Sequence, residues 1–84
     1  MINISFEDDF VTVLNKLDAS IKEKVNKQIK KIINEPEIGK PMRYSRKGTR
    51  EVHVSPFRLS YIFIPEVNKI IFMDLSVQIA RLLR

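Results

Sequence analysis

The sequence predicts an α+β fold: an N-terminal strand, a two-helix hairpin and then a three-stranded antiparallel meander. Two observations support this class. Residues 49–76 contain three short runs of strand-forming residues separated by turn signals, and residues 7–34 carry apolar side chains at helical spacing with one short break. Two amphipathic helices need a common apolar surface, and the sheet offers one. We therefore expect both helices to pack on one face of the sheet.

The predicted meander consists of residues 50–54, 57–64 and 69–75. The first run alternates polar and apolar residues, which is the period of a strand with one buried face. The second run is rich in aromatic and β-branched residues, and the third is almost wholly apolar. Pro56 and Pro65 lack a backbone N–H and therefore mark the turns between the strands. A fourth strand is predicted at the N-terminus, where apolar residues alternate with polar ones: Ile2, Ile4 and Phe6.

The first helix is predicted to begin near Glu7 and to end near Asp18 and Ala19. Its apolar residues recur at helical spacing: Phe10, Val13, Leu14 and Leu17. Ser20, followed three residues later by Glu23, matches a capping box, so the second helix is expected to begin there and to stop at residues 34–36. Its apolar stripe lies away from most of its lysines: Ile21, Val25, Ile29, Ile32 and Ile33.

A connecting segment of residues 35–49 contains both glycines and several basic residues, and we expect most of it to be a loop. Residues 42–44 within it can pair briefly at a sheet edge. The last residues, 77–84, fit either a short helix or the frayed end of a strand.

Composition predicts one domain spanning residues 1–84, without a disulfide framework because the chain has no cysteine. No apolar run approaches the length of a membrane span, and residues 1–6 fit a strand better than a signal peptide. A cytoplasmic protein is therefore expected.

The net charge of +5 is unevenly distributed. Residues 21–50 hold ten basic and three acidic side chains, whereas residues 1–20 hold one basic and four acidic. Such a basic block favours an anionic partner, either a nucleic-acid backbone or an acidic protein segment. For the helical lysines alone, a solvated surface that keeps the protein in solution is the better explanation.

Two strand motifs resemble the RelE/ParE superfamily of toxins. In that superfamily a strand of the form Gly-x-x-Glu-hydrophobic-basic-hydrophobic precedes a strand of the form aromatic-Arg-hydrophobic-x-Tyr, after a helical hairpin. This chain has Gly48-Thr49-Arg50-Glu51-Val52-His53-Val54 and then Phe57-Arg58-Leu59-Ser60-Tyr61. The resemblance implies the toxin of a type II toxin–antitoxin system, most simply a ribosome-dependent mRNA endonuclease that uses the RNA 2′-hydroxyl and needs no metal or cofactor. It also implies binding to the ribosome, to mRNA and to an acidic, partly disordered antitoxin in a hetero-oligomer.

Strand alternation indicates which residues carry such chemistry. If Val52 and Val54 face the helices, Glu51 and His53 lie on the opposite face, and the same argument places Arg58 beside His53. Arg58 matches the phosphate-binding arginine of the superfamily, and His53 is the best available proton-transfer group. Arg81 stands in for a basic residue that the superfamily carries after its last strand. The substrate backbone is expected to contact four further cations: Arg43, Arg46, Lys47 and Arg50.

Each of these residues also has a plain structural interpretation. A single histidine in a strand is commonly a surface residue, and Arg58 can instead pair with Glu51 or Asp74 across the sheet. Tyr61 falls on the inward side of its strand and can be simple core packing. The chain also has no tyrosine after Tyr61, where the superfamily carries one near its C-terminus. A non-catalytic binder, either a ParE-like inhibitor of DNA gyrase or a degenerate toxin acting through its antitoxin complex, is therefore the alternative.

Overall fold

The computed structural model describes residues 2–42 and 48–77 of the 84-residue chain. Its elements in chain order are β1 (Asn3–Phe6), α1 (Asp8–Lys16), α2 (Ala19–Asn34), β2 (Lys40–Pro41), β3 (Thr49–Val54), β4 (Phe57–Ile64) and β5 (Lys69–Val77). A two-residue turn at Ser55 and Pro56, whose peptide bond is cis, joins β3 to β4. A short 3-10 turn, Pro65–Val67, joins β4 to β5. The predicted order of strands and helices is confirmed.

The strands form one sheet in the order β1-β5-β4-β3-β2. β1 runs parallel to β5, and the other neighbouring pairs are antiparallel. The first strand therefore lies beside the meander, as predicted, but the sheet has five strands rather than four. The additional strand, β2, pairs with β3 at residues 40–41, and of the pairing expected at residues 42–44 only Met42 lies within the described residues. Beyond it, the Met42 backbone N–H donates to the Thr49 carbonyl at 2.8 Å.

Both helices contribute to a single core on one face of the sheet. Phe10 of α1 and Val25 and Ile32 of α2 are fully buried against inward-facing strand residues, chiefly Leu59, Tyr61, Ile70 and Phe72. The prediction that both helices cover the same face is therefore confirmed. The other face carries polar side chains together with Ile62 and Ile71, which pair across β4 and β5.

A β-bulge in β5 keeps this core continuous. Leu59 pairs with Leu75, whereas Tyr61, two residues further along β4, pairs with Phe72, so β5 contains one extra residue. Because of that extra residue, both Phe72 and Leu75 face the helices, where they are 0% and 2% exposed. Strict alternation through β5 would have placed one of them on the opposite face.

The predicted junction between the helices is displaced by about two residues. α1 ends at Lys16, before the expected end near Asp18 and Ala19, and α2 begins at Ala19 with Asp18 as its N-cap. The Asp18 carboxylate accepts hydrogen bonds from the Ile21 backbone N–H and from the Ser20 hydroxyl, each at 3.0 Å. Ser20 therefore supports the cap instead of forming the capping box, because the Asp18 carboxylate accepts from the free Ile21 N–H of the first turn.

Outside the described residues lie most of the ambiguous C-terminal segment, from residue 78 onward, and residues 43–47 of the connecting loop. Val77, by contrast, is the last residue of β5. Within the described residues, neither helix has the length and apolar character needed to cross a membrane.

Candidate functional site

The face of the sheet opposite the helices carries a compact group of polar side chains, which we call the polar face. Strand register arranges them in two rows across β3, β4 and β5: His53, Arg58 and Ser76 in one row, and Glu51, Ser60 and Asp74 in the other. Side chains of directly paired residues share a face, with Cβ atoms about 4.5–5.5 Å apart. The structure therefore brings His53 and Arg58 together, as the strand pattern predicted.

Arg58 forms an ion pair with Glu51, which is its diagonal neighbour on the adjacent strand. The distance from Arg58 Nε to Glu51 Oε2 is 3.1 Å, and the two side chains are 35% and 10% exposed. This is one of the two carboxylate partners that the sequence allowed. The contact uses Nε, the guanidinium nitrogen closest to the aliphatic part of the side chain, and it therefore orients the planar group. About a third of the arginine side chain is exposed to solvent.

His53 is exposed and, in the pairing of β3 with β4, lies directly opposite Arg58. Glu51 precedes it by two residues on the same strand and so projects from the same face. The guanidinium thus has a buried carboxylate beside it and an accessible imidazole opposite it. Such an arrangement can bind an anion and place a proton-transfer group next to it.

Asp74, the other candidate partner of Arg58, lies on β5, on the side of Arg58 opposite Glu51. It pairs with Ser60, which is 2% exposed, and therefore lies in the same row as Glu51. Its Oδ1 atom is buried and has no hydrogen-bond donor within the described part of the chain. The ion pair of Arg58 is therefore with Glu51.

Arg50 is not part of the polar face. It pairs with the buried Tyr61 and shares the helix side of β3 with Val52 and Val54. Its Nη1 donates to the backbone carbonyls of Glu37 at 3.0 Å and Gly39 at 2.8 Å. The structure therefore places this predicted substrate contact where it holds the segment between α2 and β2 against the sheet.

Tyr61 holds the same segment and was expected only to pack. Its hydroxyl donates to the Pro36 carbonyl at 2.7 Å and accepts from the Gly39 N–H at 2.9 Å. A Cβ atom added to Gly39 would lie 2.7 Å from this hydroxyl, so the close approach requires glycine. Burial raises the pKa of Tyr61 above its ordinary value, and the Gly39 N–H opposes that rise.

Four of the predicted site residues, namely Arg43, Arg46, Lys47 and Arg81, lie outside the described residues. The first three belong to the segment between Met42 and Thr49. The Met42 N–H donates a hydrogen bond to the Thr49 carbonyl, so the backbone is joined just outside this segment. Across residues 2–42 and 48–77, the structure contains no group of three or more His, Asp or Glu side chains arranged to hold a metal ion.

Solved toxin structures share this fold. The E. coli RelBE toxin–antitoxin complex aligns with 94% of this chain and 99% of the matched chain, at a TM-score of 0.79 and 16% identity. The RelBE2 complex from Mycobacterium tuberculosis aligns with 92% and 98%, at a TM-score of 0.80 and 23% identity. A YoeB/ParE toxin from Agrobacterium tumefaciens aligns with 93% and 100%, at a TM-score of 0.81 and 14% identity. At these identities the likeness defines the fold, which is that of the RelE/ParE superfamily.

The sequence itself defines the family. Residues 4–76 match the family described as ParE toxin of type II toxin-antitoxin system, parDE. Because this match covers most of the 84 residues, the chain belongs to the ParE toxin family and is the toxin of a type II toxin–antitoxin system. No curated protein sequence matches it significantly. The superfamily resemblance seen in the two strand motifs is confirmed.

Proposed function

We propose that this toxin is an endoribonuclease that cleaves ribosome-bound mRNA through the RNA's own 2′-hydroxyl. The observation that carries the proposal is the Arg58 guanidinium, oriented by Glu51 and facing solvent opposite an exposed histidine. The relatives named as RelBE complexes support a toxin bound by its antitoxin. We accordingly propose a hetero-oligomer with an acidic cognate antitoxin, in the cytoplasm, where the ribosome and mRNA are available.

The reaction needs one proton removed, one phosphate stabilised and one proton supplied. The 2′-oxygen loses its proton and attacks the adjacent phosphorus, the bond from phosphorus to the 5′-oxygen breaks, and the 5′-oxygen takes up a proton. The products are a 2′,3′-cyclic phosphate and a 5′-hydroxyl. Arg58 would place two parallel N–H donors on the crowded phosphate, where a planar fork stabilises the developing charge better than a point charge does.

His53 is proposed as the proton-transfer group because it is exposed beside Arg58 and its imidazole can both accept and donate a proton. Glu51 is only 10% exposed, so little of it reaches a bound RNA, and its proposed role is to position the guanidinium. Arg43, Arg46 and Lys47 are proposed to hold the RNA backbone, and Arg81 is proposed to supply a further cation at the cleaved phosphate.

The test is single-turnover cleavage of ribosome-bound mRNA by the wild type and by single variants. Arg58→Ala is expected to lower the rate about a hundredfold to a thousandfold, because one well-placed transition-state contact is lost. Arg58→Lys is expected to restore only part of that rate, since it returns the charge without the fork. His53→Ala is expected to flatten the pH dependence near neutrality.

Two further variants separate chemistry from folding. Glu51→Gln keeps the shape of the side chain but loses the charge, and it is expected to lower the rate less than Arg58→Ala does. Lys24→Ala changes an exposed residue of α2, away from the polar face, and is the matched control. Wild-type rates in Arg58→Ala, with unchanged thermal stability, would contradict the assignment of Arg58.

Inhibition of DNA gyrase is the second candidate, because the matched family carries the ParE name and the sequence lacks a tyrosine after Tyr61. A supercoiling assay with purified gyrase distinguishes the two functions. If the wild-type toxin blocks supercoiling and leaves ribosome-bound mRNA intact, the endonuclease proposal is wrong. If it cleaves mRNA and leaves supercoiling unchanged, the gyrase candidate is excluded.

A further inference from the structure

We propose that Asp74 accepts the proton of the RNA 2′-hydroxyl, while His53 protonates the departing 5′-oxygen on the other side of the phosphate. This role rests on the proposed endonuclease function and completes it, because the reaction needs two proton transfers and His53 accounts for one of them. Three features of the polar face support it: the bulge in β5, the buried Oδ1 atom of Asp74 and the arrangement of three neighbouring strands.

The β-bulge turns Asp74 toward the polar face. Phe72 and Asp74 both pair with residues of β4, and Met73 between them is the extra residue. Phe72 is buried on the helix side, and strict alternation would place Asp74 on that side as well. The extra residue reverses this, so that Leu75 enters the core and Asp74 joins the polar face. Bulges commonly redirect a side chain in this way beside an active site.

The Asp74 carboxylate has acceptor capacity that the described part of the chain does not use. Its Oδ1 atom is buried, and no donor among the described residues reaches it. A buried carboxylate oxygen without a donor costs free energy, and folded proteins keep few of them outside functional sites. Asp74 as a whole is half-buried, and rotation of its carboxyl group exchanges the two oxygens. The side chain can therefore offer a bound hydroxyl an acceptor that is not already shared.

Strand β4 lies between the two proton-transfer groups. Arg58 is on β4, His53 is opposite it on β3, and Asp74 is its diagonal neighbour on β5. Strands β3 and β5 are two strand spacings apart, which is about 10 Å. A phosphate bound by Arg58 therefore has an imidazole on one side and a carboxylate on the other. In-line displacement requires such an arrangement, because the attacking and leaving oxygens lie on opposite sides of phosphorus.

The proposed step starts with an ionised Asp74 and a protonated His53. The 2′-O–H bond breaks, its proton passes to the Asp74 carboxylate, and the 2′-oxygen forms a bond to phosphorus. The bond from phosphorus to the 5′-oxygen breaks, and the 5′-oxygen takes the N–H proton of the imidazole. The step ends with a neutral carboxyl group and a neutral imidazole, and exchange with solvent restores both. The hydrogen bond accepted from the 2′-hydroxyl also distinguishes RNA from DNA.

Two neighbouring side chains are less suited to accept this proton. Glu51 already accepts from Arg58 Nε at 3.1 Å, and its side chain is 10% exposed. Ser76 lies directly opposite Arg58 on β5 and is exposed, but a neutral hydroxyl is a much weaker proton acceptor than a carboxylate. Among the described residues of the polar face, Asp74 is therefore the best candidate for the base.

The experiment measures single-turnover cleavage of ribosome-bound mRNA by the wild type and by Asp74 variants. Asp74→Asn is expected to lower the rate about a hundredfold to ten-thousandfold, which is the usual contribution of a general base. Asp74→Glu keeps the carboxylate and is expected to restore part of the rate. Glu66→Gln changes an exposed carboxylate in the turn between β4 and β5 and is expected to cleave at the wild-type rate.

Melting temperatures separate this role from a structural one. Asp74→Asn is expected to melt at the wild-type temperature or above it, because an uncharged oxygen costs less than a charged one when it is buried without a donor. A lower melting temperature in Asp74→Asn, with a rate at the wild-type value, would identify Asp74 as a structural residue and overturn the proposal.

A second substrate assigns the two proton transfers. In this RNA, sulfur replaces the 5′-oxygen at the cleavage site, and a thiolate leaves without needing a proton, since thiols are far more acidic than alcohols. On this RNA His53→Ala is expected to cleave nearly as fast as the wild type, whereas Asp74→Asn is expected to remain slow. The opposite pattern, with the sulfur rescuing Asp74→Asn and not His53→Ala, would overturn the assignment.

The same assays distinguish failure of this role from failure of the endonuclease proposal. If the wild type cleaves ribosome-bound mRNA and Asp74→Asn cleaves it equally fast, only the role of Asp74 is wrong. If the wild type cleaves neither RNA, the endonuclease proposal is wrong and the role of Asp74 is wrong with it.

Discussion

Tyr61 shows how one core side chain determines the path of a loop. Its ring belongs to the buried core, while its hydroxyl donates to the Pro36 carbonyl and accepts from the Gly39 N–H. Arg50 adds two donors to carbonyls of the same segment. These contacts satisfy backbone groups of residues 36–39, and they fix the approach of the chain to β2.

Tyr61→Phe is expected to destabilise the protein by about 1–3 kcal/mol, because a carbonyl and an N–H lose their shared partner without gaining access to water. In a domain of this size, each kcal/mol corresponds to a fall in melting temperature of about 4–8 °C. Denaturant unfolding of the variant, with Phe63→Leu as a core control lacking a hydroxyl, measures the effect. A stability equal to that of the wild type would show that these hydrogen bonds contribute nothing net.

The same residue gives a pH prediction. Burial raises the pKa of Tyr61 in the folded protein above its ordinary value of 10.0. As the pH rises above about 10, the unfolded chain releases this proton while the folded chain retains it, so the stability that is fully present at lower pH is progressively lost. The free energy of unfolding of Tyr61→Phe should therefore fall less steeply across this alkaline range. Parallel curves for the two proteins, from denaturant unfolding at several pH values, would contradict the prediction.

At the residue level, the sequence predicted relations within a strand better than relations between a strand and a loop. His53 and Arg58 share a face because alternation and a two-residue turn fix their register. The same alternation implied that Arg50 lies with Val52 on the helix side, but the residue was assigned to the substrate from its charge. Neither of its carbonyl contacts, at Glu37 and Gly39, leaves a local sequence signal.

At the scale of elements, the helix junction contained two competing start signals. Asp18 and Ser20 are both good N-cap residues, and only the folded chain shows that Asp18 accepts from the Ile21 N–H. The strand β2 has only two residues, which is too short to show a periodic pattern in the sequence. Its position depends on Tyr61 and Arg50, which hold the preceding segment in place. The longer strands of the meander were predictable because each buries a complete face.

Substitutions at Asp18 test the assignment of the cap. The Ile21 N–H and the Ser20 hydroxyl lower the pKa of the Asp18 carboxyl, so its stabilising effect is present above the ordinary value of 3.8 and is lost as the pH falls through the lower folded value. Asp18→Asn keeps an acceptor oxygen, whereas Asp18→Ala removes it. We expect a lower melting temperature for Asp18→Ala than for Asp18→Asn at neutral pH. A greater loss for Ser20→Ala than for Asp18→Ala would restore the capping box.

At the scale of the whole molecule, the sheet separates two charged surfaces. One side presents the polar face, in which Arg58 is held by Glu51, and the other carries the exposed lysines of α2. Sequence charge alone showed that residues 21–50 are strongly basic, but it could not assign that charge to one side or the other. The fold does so, because α2 lies on the helix side of the sheet.

This separation predicts that toxicity depends on the polar face and not on the lysines of α2. Arg58→Ala is expected to abolish growth arrest in cells, because it removes the proposed phosphate contact. Lys27→Gln combined with Lys30→Gln is expected to arrest growth as the wild type does, because both lysines belong to α2, which lies on the helix side of the sheet. The measurement is growth of cells that carry each toxin variant on an inducible plasmid. If the lysine variant loses toxicity while remaining folded, the separation is wrong.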